Sequence, residues 1–150
     1  MAIVLPKFSR RGTSSGERST RRTEPAIGLR LLSLHSGLEP GELLEFEYSI
    51  HRVPAESIDG LEASVLWSTE GKGSEDIGVH FFERLSGSQL SQRPLQDPHL
   101  MSTRLPFCPL SYEGRLMKIR WCVRLRLFLH GGREISAEQP FYLGNVTREV

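Results

Sequence analysis

A chain of 150 residues, 38% hydrophobic and 25% charged, has room for one domain with a core of its own. Its net charge of +1 excludes a polyanion-binding field over the whole surface, and its two cysteines, Cys108 and Cys122, exclude a disulfide scaffold and lack metal-ligand spacing. The opening "MAIVLPKF" has no basic n-region and is interrupted by Pro6, and no apolar run approaches the ~20 residues of a membrane span. The expected setting is the cytoplasm, with reduced thiols and with the Asn145–Thr147 sequon unused.

From Ser9 to Pro25 the sequence "SRRGTSSGERSTRRTEP" has no large apolar residue, so it cannot offset its ordering entropy. Residues 1–25 are expected to be a disordered tail, with six basic against two acidic residues, leaving 13 basic and 16 acidic in a mildly acidic body. "RRGTS" and "RRTEP" place a hydroxyl just after paired arginines, a pattern suited to a basophilic kinase. The folded domain is expected over 26–150.

That domain reads as strands. "IGLRLLSL" ends at the turn "SGLEPGE". In "LLEFEYSI", Leu44, Phe46, Tyr48 and Ile50 face one way and Glu45, Glu47 and Ser49 the other, a half-buried antiparallel strand. "EASVLWST" and "IGVHFFERL" flank a polar connection, Ser86 to Asp97 reads as loop, and "HLMSTRLP" is a strand stopped by Pro106. "RLMKIRWCVRLRLFL" alternates most strictly, with Met117, Ile119, Trp121, Val123, Leu125, Leu127 and Leu129 against Lys118, Arg120, Cys122, Arg124, Arg126 and Phe128. Gly131-Gly132 then predicts a hairpin that returns "EISAEQPFYLG" alongside, with Glu134 and Glu138. The pattern predicts an all-β, immunoglobulin- or arrestin-like antiparallel sandwich of about seven or eight strands.

Two stretches resemble the arrestin-like family. "LEPGELLEFEYSI" resembles its early Pro-Gly turn and strand. "LPFCPLSYEGRLMKIRWCVRLRLFL" resembles a later signature carried here by Leu105, Pro106, Ser111, Tyr112, Gly114 and Trp121. The resemblance implies a sandwich fold and adaptor-like use of its surface. Arrestins place two sandwiches in tandem, and this chain has room for one, so the interdomain hinge and buried polar switch are not expected. It has no Pro-Pro-x-Tyr motif and no clathrin box.

Lys118, Arg120, Arg124 and Arg126 share one strand face, roughly 6.5–7 Å between neighbours two apart. They form a candidate cationic ridge for a partner protein, or else pair with acids of adjacent strands such as Glu134, Glu138, Glu45 and Glu47. Nucleic acid is disfavoured, because Phe128 is the one stacking residue on that face. Cys122, between Arg120 and Arg124, is a candidate low-pKa thiol or simply a small strand residue. The five histidines, His35, His51, His80, His99 and His130, have no ligand spacing, and no nucleophile elbow is present.

The loop Thr69 to Asp76 crowds Gly71, Lys72, Gly73, Glu75 and Asp76 together. It lacks the first glycine of a P-loop, and its acids miss the calcium-loop register. It reads as a wet strand connection whose glycines supply positive φ, with a small anion nest or a weak cation site as secondary uses. These residues predict a non-enzymatic protein-interaction module without metal or cofactor, acting through a strand edge or the cationic face. Self-association by strand pairing is a further expectation. The rival reading is a small-ligand or carbohydrate-binding sandwich using Trp67 and the 67–76 loop.

Overall fold

Apolar and polar residues alternate along each long strand, and the apolar sides of two sheets close on one another. The structure, a computed structural model, describes residues 3–4, 24–33 and 37–144. One sheet has the order β1 (Ile3–Val4), β2 (Ala26–Leu31), β4 (Leu43–His51) and β7 (His99–Arg104). The other runs β3 (Gly37–Leu38), β10 (Arg133–Leu143), β9 (Met117–Leu129), β5 (Ile58–Gly71) and β6 (Ile77–Ser86), with β8 (Tyr112–Glu113) also paired to β9. All pairings are antiparallel except β3 with β10. The sandwich fold expected from the strand pattern is therefore the fold of the chain.

Three short strands fall outside the expected ones. Within the segment expected to be a tail, Ile3 and Val4 pair with Gly28 and Ile27 of β2. Residues 5–23, His35 and the Asn145 sequon lie outside the described residues. β3 sits in the "SGLEPGE" turn and β8 in the connection before β9. The expected loop after Ser86 opens with a helical turn, α1 (Gly87–Leu90), closed by a capping box. Ser86 Oγ accepts from Gln89 N at 3.2 Å, and Ser86 N donates to Gln89 Oε1 at 2.8 Å. Ser-x-x-Gln was the sequence signal for it. The turn delivers Leu90 into the core, where it is 1% exposed.

Trp121, Phe46, Tyr48, Leu125 and Leu127 are the large side chains at the centre of that core. One end is closed by the connection from β7 to β9. Leu105 is buried, the Trp121 indole N–H donates to the Pro109 carbonyl at 2.8 Å, and Leu143 N–H donates to the buried Ser111 Oγ at 2.8 Å. A Cβ on Gly114 would collide with the Tyr112 ring. The residues that carried the arrestin-like resemblance thus include those that seal this end of the sandwich.

Candidate protein-interaction surface

The outer face of the larger sheet carries the cationic residues expected to form a ridge. Strand register decides what each of them meets. Arg124 faces Glu138, and Arg126 faces both Glu62 and Ser136. Arg124 Nε donates to Glu138 at 2.9 Å, and Arg126 makes a two-pronged pair with Glu134 at 2.6 and 3.1 Å. Glu62 then joins Arg126 at 3.6 Å to Arg84 at 2.7 Å. Arg84, Arg124 and Arg126 are balanced by Glu62, Glu134 and Glu138, so the middle of this face is a neutral ladder of ion pairs. Nearer the sheet's end Arg120 pairs with Glu70 at 3.5 Å, and Lys118 stands in register between Glu70 and Glu113. Glu45 and Glu47 belong to the other sheet, where Glu47 pairs with Arg30 at 2.6 Å.

Phe128 lies beneath both Arg84 and Arg126, whose guanidinium carbons stand 5.4 and 5.1 Å from its ring centroid. That stacking occupies the ring that nucleic acid would need. Cys122 shows how register overrides sequence neighbours. It faces Leu66 and Pro140, is half-buried, and burial pushes its thiol up to about 11. Glu138 adds to the rise, and only Arg124 opposes it. The flanking arginines therefore do not make Cys122 a low-pKa nucleophile, in keeping with the reading of a small strand residue.

The 69–76 loop is a hairpin connection. Asp76 N–H donates to Thr69 Oγ1 at 2.9 Å, and Thr69 N–H donates to the Asp76 carbonyl at 2.9 Å. Gly73 has a φ of 126°, as the turn requires. Gly71 has a different reason to be glycine: any Cβ there would strike the Leu116 carbonyl just before the paired strand β9. Lys72, Glu75 and Asp76 are exposed. The loop's base adjoins the cationic strand through the Glu70–Arg120 pair. Trp67 is half-buried and packs on the core, and its indole lies over Gly78. It is a packing residue at the root of the hairpin rather than a platform on its surface.

The strand edge gives a different picture. β6 pairs with β5 and with no other described strand. Its ladder slips at Val65/Leu66, where Val65 faces Phe81 and Leu66 faces Val79. His80 is the extra residue of a bulge. The bulge turns His80 inward, edge-on to Trp121 at 6.2 Å, and its Nε2–H donates to the Arg104 carbonyl at 2.6 Å. This contact links β6 to the edge of the opposite sheet. On the outer face it leaves Ile77, Val79 and Phe82 in a row, each more than half exposed. The sequence carried a signal for this row. "IGVHFF" has apolar residues at both strand parities, too many for one inward face.

Among the described residues no group of three or more His, Cys, Asp and Glu is arranged to hold a metal, and no helix is long and apolar enough to cross a membrane. No family model matches the chain, and no curated protein matches its sequence. Among solved structures it is similar to Spo0M, a sporulation control protein from Bacillus subtilis, with a TM-score of 0.54 at 14% identity. The match covers 81% of this chain and 49% of that one, so the chain spans about half the length of Spo0M. At that identity the likeness is one of fold alone.

Proposed function

We propose that the chain is a non-enzymatic, adaptor-like interaction module that takes an extended segment of a partner protein onto the open edge of β6. The observation that carries this reading is the apolar row Ile77, Val79 and Phe82 on a ten-residue edge strand. An exposed edge offers main-chain hydrogen bonds, and every second side chain of an added strand would lie against that row. Covering the three side chains contributes about 1 kcal/mol each, since roughly half of each is still exposed. The cationic face fits less well, because a ligand there must first displace glutamates already bound to Arg124 and Arg126. That a sporulation control protein shares the fold agrees with a regulatory role.

The test is site-specific photo-crosslinking in the full chain. A photoreactive side chain at Val79 or Phe82 is expected to capture partner protein, whereas one at Arg124 captures little. Adducts of twice the chain's mass from Val79 would identify the partner as a second copy, joined edge to edge. Capture from Arg124 with none from Val79 or Phe82 would move the interface to the cationic face.

A further inference from the structure

Where β4 hands over to β5, the end of the sandwich carries a groove of about 740 Å³. Residues 52–55 form one wall and residues 91–96 the other. The floor is apolar: Ile50 is buried, and Val53 and Leu95 pack against the core. Both walls are anchored. Ile50 N–H donates to the Leu95 carbonyl at 2.8 Å, Asp97 N–H to Pro94 at 3.1 Å, and Ser57 N–H to Pro54 at 3.0 Å. A volume of this size lies within the usual range of ligand sites, roughly 300–1,000 Å³.

The two charged residues lining the groove are both arginines, Arg52 and Arg93. Five of the seven arginines on the described strands are paired, Arg104 and Arg133 being the exceptions. Arg30, Arg84, Arg120, Arg124 and Arg126 each have a carboxylate partner, whereas neither Arg52 nor Arg93 has an ion pair among the described residues. The acids nearest in sequence, Glu56 and Asp97, are not part of the lining. Arg52 also has a φ of 60°, the one positive value at a non-glycine among the described residues. Its Nε donates to the Glu24 carbonyl at 2.6 Å, a partner that holds the side chain without neutralising it. A left-handed arginine is costly and persists only where its surroundings hold it, a combination that clusters at binding sites.

We infer that this groove docks an acidic segment of a partner protein, one apolar side chain resting on the floor between Val53 and Leu95 and a carboxylate on each arginine. Guanidinium forks match carboxylates in two-pronged pairs, and an apolar floor lowers the local dielectric that would otherwise screen them. The site is separate from the β6 edge and stands or falls independently of it.

The probe is a fluorescein-labelled peptide of alternating Asp and Leu, with an Asn-for-Asp peptide as control, followed by fluorescence anisotropy on the full chain. Arg52→Asn keeps a residue that tolerates the left-handed backbone, and Arg93→Gln changes an exposed loop position. Each is expected to weaken binding roughly tenfold, with Arg30→Gln unchanged and the Asn peptide not bound. Circular dichroism verifies that each variant is folded, and Arg93→Gln alone decides the matter if Arg52→Asn is not. Undiminished binding to folded Arg93→Gln, equal loss in Arg30→Gln, or no binding of the acidic probe up to about 1 mM would each overturn the proposal. So would equal binding of the Asn peptide, which would leave an apolar groove without acid recognition.

Discussion

At Gly78 a missing Cβ decides where an indole can lie. Gly78 faces Trp67 across the β5–β6 ladder, and a Cβ there would overlap the indole ring atoms. Sequence proximity made Trp67 resemble the rim of a loop site, whereas the cross-strand neighbour makes it the packed root of a hairpin. Gly78→Ala is therefore expected to push the indole outward and destabilise the fold by about 1–3 kcal/mol, as overpacking does. Urea denaturation would read the loss, and a red-shifted tryptophan emission would show the displacement. Native stability and an unshifted spectrum would mean that the added methyl is accommodated without displacing Trp67. Cys122 teaches the same lesson in electrostatics, since its cross-strand neighbours outweigh the arginines beside it in the chain.

At the scale of the element, alternation in β9 was enough to put four cations on one line, and the pairing of β9 with β5 and β10 settled their state. The hydrogen bond from Arg126 is the largest cause holding the Glu134 carboxyl below its ordinary value of 4.5. A depressed carboxylate adds stability that is complete above its unfolded pKa and disappears as pH falls through the folded one. Both side chains are more than a third exposed, at 41% and 38%, so solvent screening keeps the pair's contribution near 0.5 kcal/mol. Arg126→Gln is thus expected to cost about that much at neutral pH, a cost that disappears as pH falls through the folded pKa of the Glu134 carboxyl. Urea titrations at neutral pH and below that pKa compare them, and a constant difference would show that Arg126 acts by covering Phe128 instead.

For the whole molecule the seam between the sheets matters most. Tyr48 is 2% exposed, stacks on His99 at 5.0 Å between centroids, and has its phenol pushed up to about 12. Burial is the main cause, with the Glu83 charge adding to it and Arg93 opposing. The unfolded chain therefore releases this proton near pH 10, while the folded one keeps it until about 12. Stability contributed by the neutral phenol is complete below pH 10 and lost as pH rises through 12, by up to about 2–3 kcal/mol. Thermal melts of the wild type should fall across that interval, and Tyr48→Phe should flatten the fall. Parallel falls in both proteins would assign alkaline unfolding to other groups, Cys122 among them.

By itself the sequence determined the all-β class, the long strands and the inward face of β4 and β9, because a period of two over a long strand admits one arrangement against a core. It also placed the Gly131–Gly132 hairpin, which brings Glu134 and Glu138 beside Arg126 and Arg124. Only the tertiary structure decided which strands stand at an edge, since pairing between sequence-distant strands leaves no local mark. For that reason the excess of apolar residues in "IGVHFF" was legible in the sequence, but its place on an edge strand emerged only with the sheet order. The meeting of Arg52 and Arg93 is of the same kind: 41 positions apart in the chain, they share a groove because Leu95 is hydrogen-bonded to Ile50.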